Sequence, residues 1–175
     1  MFFVGEPTTT IPKEFKTPLQ KMTYTTLSKI KIPFERVDTD VAVTMDDCIE
    51  IDKKLNMKMV KTLFLCNRQK TAFYLFITTN NKVFSSKTFS CSLKISRVSF
   101  VPKELFEKML GAATVFSILF DNNNTIRIIF DNNVVSNEFY GCSDGTTTRY
   151  MKIKTNDIIN ILLPYTKHSA EIIIM

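Results

Sequence analysis

The feature that most constrains the fold is a pair of apolar runs, Val60–Cys66 and Thr71–Ile77, separated only by Asn67-Arg68-Gln69-Lys70. Runs of this length, rich in aromatic and branched residues and joined by so short a polar link, predict an antiparallel β-hairpin. An isolated hairpin does not hold itself together in water, so other elements must cover it. The sequence before it supplies some. Thr17-Pro18 reads as an N-cap with proline at the first helical position, and Leu19, Met22, Leu27 and Ile30 form an apolar stripe to about Lys31. Pro33 ends that helix, and Phe34–Val37 follows as a short strand. Thr44-Met45-Asp46-Asp47 resembles a capping box, with Asp47 where Glu or Gln is usual, and Cys48, Ile51 and Leu55 continue at helical spacing.

After the hairpin, Thr79-Asn80-Asn81-Lys82 predicts a turn, Ser86–Leu93 a short helix and Arg97–Val101 a strand. Pro102 starts a helix carrying Leu105, Met109 and Leu110, which Gly111 closes. Thr114–Phe120 and Thr125–Phe130 read as strands around a polar turn, and Asn137–Cys142 and Arg149–Lys154 as a second pair around Ser143–Thr148. Thr155 caps a last helix that Pro164 stops. Hairpins dominate over βαβ alternation. The expected fold is therefore α+β: a single compact domain with a mixed, mostly antiparallel, barrel-like sheet surrounded by helices. Residues 1–16 are expected as an N-terminal arm, 17–164 as the domain and 165–175 as a C-terminal tail.

Charge is segregated. Asp38 to Asp52 holds six acidic residues and no basic ones, and Lys53 to Lys87 holds eight basic residues and no acidic ones, within a net charge of +6. Clustered lysines suit a polyanion such as nucleic acid, or simply form a solvated face. Cys48, Cys66, Cys91 and Cys142 are widely spaced and His168 is the only histidine, so neither a metal site nor a cofactor is expected, and the thiols are read as buried and reduced. His168 itself is read as solvent-exposed. No basic, apolar leader opens the sequence and no run is long enough to span a bilayer, which predicts a soluble cytoplasmic protein.

Three segments can carry chemistry. Lys61 starts an apolar strand and must send its ammonium somewhere polar: into water at the strand edge, or into a cleft holding a phosphate or carbonyl oxygen. Gly111-Ala112-Ala113-Thr114-Val115 is either a plain glycine cap or a loop whose free N–H groups grip a ligand oxygen. Gly141 to Thr148 offers hydroxyls and the carboxylate of Asp144, or makes an ordinary hairpin loop. Val43, Met45 and Phe116 are candidate pocket walls, with core packing as the other reading. No serine-nucleophile, P-loop, dinucleotide or zinc-protease signature is present.

The order and wording of IPFERVDTDVAVTMDDCIEIDKKL, KTLFLCNRQKTAFYLF, SRVSFV, LGAATVFSILFD and GC…KIKTNDI resemble the YbaK/prolyl-tRNA editing family, above all its freestanding deacylases, from about Met22 to Pro164. The resemblance implies a compact mixed sheet surrounded by helices. It also implies hydrolysis of the ester of wrongly charged tRNA(Pro), typically carrying alanine or cysteine, with the tRNA 3′ acceptor end as partner and prolyl-tRNA synthetase as a second one. The family's lysine falls on Lys61 and its loop glycine on Gly111, so these two are the implied catalytic positions, with Val115 where proline is common. The later His-Pro and Asn-Thr positions fall on Ser143-Asp144 and Thr147-Thr148, keeping only Thr148, and a histidine of close relatives falls on Thr39. Ala112, Ala113, Thr114, Ser143, Thr147 and Thr148 are the implied substrate contacts. A binding module of the same fold, sensing charged tRNA or an amino acid or docking on a synthetase, is the alternative to an enzyme.

Overall fold

A computed structural model describes residues 1–175. The hairpin forms as the sequence predicts: β2 (Val60–Cys66) and β3 (Phe73–Thr79) pair antiparallel, with Lys61 opposite Thr78 and Leu65 opposite Tyr74. Asn67 closes the turn by accepting the Thr71 and Ala72 amides on its side chain. Around the hairpin grows a five-stranded sheet in the order β4-β2-β3-β5-β8, where β4 is Ser99–Phe100, β5 is Ile126–Asp131 and β8 is Ala170–Ile173. A second sheet has three strands in the order β1-β7-β6, formed by Glu35–Asp38, Arg149–Lys154 and Phe139–Ser143. The two sheets remain separate, so no closed barrel forms; the fold is α+β with mixed sheets, β5 running parallel to both β3 and β8.

The helices start where their caps stand. Thr17 caps α1 (Pro18–Lys29) by accepting the Gln20 amide, and Thr44 with Asp47 completes a reciprocal capping box on α2 (Met45–Leu55). Ser85 caps α3 (Ser86–Leu93); α4 (Lys103–Met109) and α5 (Asn132–Val135) are short. The closing helical segment runs on past Leu163 to Tyr165, with a π-helical stretch at Ile158–Leu162, so Pro164 sits in its final turn rather than stopping it.

Alternation along β2 decides what each face meets. Phe64 and Cys66 enter the main core between the sheets, with Leu110, Val115, Phe116 and Tyr140. Leu63 and Leu65 enter a second core, under α3, with Tyr74, Phe76 and Phe89. Lys61 has the parity of Leu63 and Leu65 and therefore belongs to the α3 face.

Several expectations are corrected. Thr114–Phe120 is not a strand: Val115–Phe120 is a 3-10 helix, begun by a capping box between Thr114 and Ser117. Val115 to Ile118 are all buried, and so short an apolar run does not distinguish helix from strand by period. Only Ser99–Phe100 of the expected strand 97–101 pairs with a neighbour. Residues 170–173, in the expected tail, form β8 against β5. His168 is not exposed; it is 8% accessible, with Nε2 2.9 Å from Asp121 Oδ2 and Nδ1 2.9 Å from Thr166 Oγ1. All four cysteines are free thiols, but only Cys66 and Cys142 are buried; Cys91 faces solvent.

Candidate functional site

The sequence-selected residues divide between two places. Gly111 holds φ of 75° just past α4, where its amide donates to Phe106 O. Thr114 is tied down on both sides: its amide donates to Ser117 Oγ and its hydroxyl to Ser143 O, 3.3 Å away. The amides of Ala112 and Ala113 donate to no protein acceptor, so two of the four N–H groups in this loop are free. Ser143 Oγ accepts from the Gly145 amide, and Thr148 Oγ1 accepts from Lys16 Nζ at 2.8 Å. Thr147 and Thr148 also give their carbonyls to the Ala42 and Thr39 amides. The two loops thus meet at one end of the three-stranded sheet, where Gly111, Ala112, Leu19 and Gly145 border a groove of about 420 Å³.

Asp144 holds this end together from within. It is fully buried and accepts from Gln20 Nε2 (2.7 Å), Tyr24 OH (2.8 Å) and the Thr146 hydroxyl (2.7 Å). Burial, and then the charge of Asp144, push the Tyr24 phenol far above its ordinary value, so it stays a donor.

Lys61 is not in that group. Its ammonium donates to the carbonyl of Lys82, in the turn after β3. The Lys82 ammonium pairs with the buried Asp131 carboxylate at 2.7 Å and reaches Met175 O at 2.9 Å, while Thr78 donates to the same Asp131 oxygen. Burial raises the Asp131 carboxyl, but the bonds from Lys82, Asn133 N and Thr78 outweigh it and hold the group below its usual range.

That turn forms one wall of a cavity of about 630 Å³. The opposite wall is α2, contributing Met45, Cys48 and Asp52; Lys58 and Met59 come from the link into β2, and Asn133 and Asn137 from α5 and the approach to β6. The side-chain amides of Asn81, Asn133 and Asn137 bond to no protein group, and Lys58 has no ion pair. Asp52 Oδ1 accepts the Met59 amide at 2.9 Å and its second oxygen has no protein partner. Burial pushes the Asp52 carboxyl up to about 6, against the Met59 bond and the Lys58 charge. Burial, followed by Asp52, likewise raises the Cys48 thiol.

The cavity borders the approach to β6 at Ser136 and Asn137 and reaches Met59, which pairs with Gly141 in the middle of that strand, while the paired loops lie at its end, at Ser143. Lys61 is bonded to the cavity wall through Lys82, and Thr114 to the loop end through Ser143. Of the candidate walls, Met45 lines the cavity, Val43 projects into solvent and Phe116 is core. Sequence reasoning missed Asp52, Lys58 and the asparagines. The one local signal was the Asn80-Asn81 turn, which reads as turn chemistry alone. No group of three or more His, Cys, Asp or Glu side chains is placed to hold a metal ion, and no helix is long and apolar enough to cross a membrane.

The architecture recurs in solved structures. One assigned as a candidate trans-editing enzyme for prolyl tRNA synthetase matches with a TM-score of 0.63 at 11% identity, covering 92% of this chain and 99% of its own. A scaffold protein from computational epitope backbone grafting matches at 0.64 and 12% identity, covering 91% and 98%. Identities this low show the shared fold and nothing finer. The sequence goes further. Residues 39–161 match the aminoacyl-tRNA editing domain, and the chain belongs to that family, a class of aminoacyl-tRNA deacylases. The prolyl-tRNA editing protein ProX of Acetoanaerobium sticklandii is 26% identical over 113 residues, 62% of this chain and 69% of that protein.

Proposed function

We propose that this protein is a cytoplasmic trans-editing hydrolase that removes wrongly attached alanine from tRNA(Pro), acting beside prolyl-tRNA synthetase, and that the aminoacyl end enters the cavity walled by α2 and the Lys82 turn. The observation that carries this reading is the link from Lys61, the family lysine, to the wall of that cavity. Holding the Lys82 carbonyl fixes the turn, and Asp131 fixes the Lys82 ammonium, so the wall facing the substrate is preorganised.

An aminoacyl ester is already activated, so water attack needs orientation and a place for the oxyanion more than a strong base. The unpartnered amides of Asn81, Asn133 and Asn137 and the Lys58 ammonium supply donors, and the ribose hydroxyl beside the ester orients the water. The free amides of Ala112 and Ala113, at the far end of the sheet, take a phosphate of the acceptor end rather than the ester. Deacylation assays over tRNA(Pro) charged with alanine, cysteine, serine or proline test the reading. Fastest release from Ala-tRNA(Pro) supports it, and no release from any of the four rejects it.

In a binding module of the same fold, a carboxylate at the position of Asp144 would suit the amine of an amino acid. That carboxylate is buried and fully bonded, so it reaches no ligand. Tight tRNA binding with no turnover in the same assays would restore the binding module.

A further inference from the structure

The cavity contains one carboxylate set among amides and lysines, and its position asks for a cation. Asp52 sits on the last turns of α2, where the helix dipole also favours positive charge. One of its oxygens is fixed by the Met59 amide, which locks the carboxylate plane; the other is left without a protein donor. No lysine forms an ion pair with it: Lys58 lies in the same cavity and acts on it only through its charge, and Lys82 is engaged by Asp131. A half-buried carboxylate with one open oxygen is a receptor for an ammonium or a strong N–H donor. The substrate of an aminoacyl-ester hydrolase carries one such group a single carbon from the reacting carbonyl.

We propose that the open oxygen of Asp52 receives the α-ammonium group of the amino acid esterified to tRNA, making the site selective for a free amine over an acylated one. The inference rests on the cavity being the place where the aminoacyl end binds. An ammonium held at Asp52 places the carbonyl carbon two bonds further on, among the Asn81, Asn133 and Asn137 amides. Asp52 is then a positioning residue that sets the ester against its donors. The groups facing it are Cys48 one turn earlier on α2, Lys58 from the link to β2 and Lys82 from across the cavity; α5 and the residues after it contribute only uncharged side chains.

The test uses the full chain and a non-hydrolysable probe, 3′-deoxy-3′-(L-alanylamino)adenosine, with its N-acetyl derivative as the partner ligand. Asp52→Asn keeps an oxygen for the Met59 amide, and the acetylated probe leaves the protein unaltered, so neither arm depends on a disruptive change. Wild-type protein is expected to bind the free-amine probe roughly tenfold to a hundredfold more tightly than the acetylated one, and Asp52→Asn to bind both alike. Equal binding of the two probes by wild type, binding of neither, or a preference that survives in Asp52→Asn overturns the inference. Turnover of Ala-tRNA(Pro), measured in parallel, separates this from the editing reading. Turnover with an unchanged amine preference in Asp52→Asn rejects the role of Asp52 alone, whereas amine-selective binding without turnover upholds it and rejects hydrolysis.

Discussion

At the cavity end of the three-stranded sheet, Asp52 keeps one oxygen free and Lys58 has no ion pair; at the loop end, Asp144 has every lone pair answered by Gln20, Tyr24 and Thr146. Both are partly or wholly buried carboxylates on the same scaffold, yet they do different work. A buried charge whose partners are complete is structural, because the protein itself is the ligand. One with an unused oxygen beside open space retains binding capacity. The comparison moves attention from the loops, where the sequence places most candidate contacts, to a cavity that only the fold assembles.

The largest effect that would break this contrast is on catalysis. Lys61→Ala frees the Lys82 turn and is expected to lower kcat/KM for Ala-tRNA(Pro) by about 100-fold, the scale of a small misplacement at a reacting centre. Turnover within a few-fold of wild type would detach Lys61 from the cavity and reopen the loop end as the site of chemistry. Asp144→Ala strands the Gln20 amide and Tyr24 hydroxyl in the core and is expected to cost about 3 kcal/mol in urea denaturation, while folded enzyme keeps its kcat. A loss of kcat without a loss of stability would make the loop end functional.

Acid sharpens the comparison. Because Asp52 is raised to about 6, its charge disappears as pH falls through that value, and kcat/KM for Ala-tRNA(Pro) should fall with it, a dependence that Asp52→Asn removes. Stability responds in the opposite sense. Between about pH 6 and 4 the folded state binds a proton that the unfolded chain does not, so the Asp52 contribution to stability rises on acidification. Asp121 and Asp131, depressed by their partners, contribute stability above their unfolded values that is lost as pH falls through the folded ones. The smallest effect is at Gly111→Ala. Nothing lies within 4 Å of the added Cβ, so only the left-handed backbone resists, costing about 1 kcal/mol by thermal unfolding with turnover nearly unchanged.

What the sequence discloses follows how local the cause is. The hairpin, the Thr44–Asp47 capping box, α1 and the Gly111 cap depend on residues a few positions apart, and each is legible. β8 is not, because its only strand partner is β5, more than 40 residues earlier. His168 reads as exposed because the carboxylate that buries it, Asp121, is 47 positions away. Lys61 is found by its resemblance to a family position, but the face it serves follows from strand register, and register places it away from Gly111. Asp52 reads as one more acid in an acidic stretch, since its closest polar partner, the Met59 amide, is met only after the chain has turned at Asn56.

The buried pairing of His168 with Asp121 also gives this molecule a built-in spectroscopic probe. A chain with one imidazole has a single set of histidine ring resonances, and here they arise where the residues leading into β8 dock beside the start of β5. Their chemical shifts and exchange broadening report whether that edge of the five-stranded sheet is closed, without labels and without any substrate.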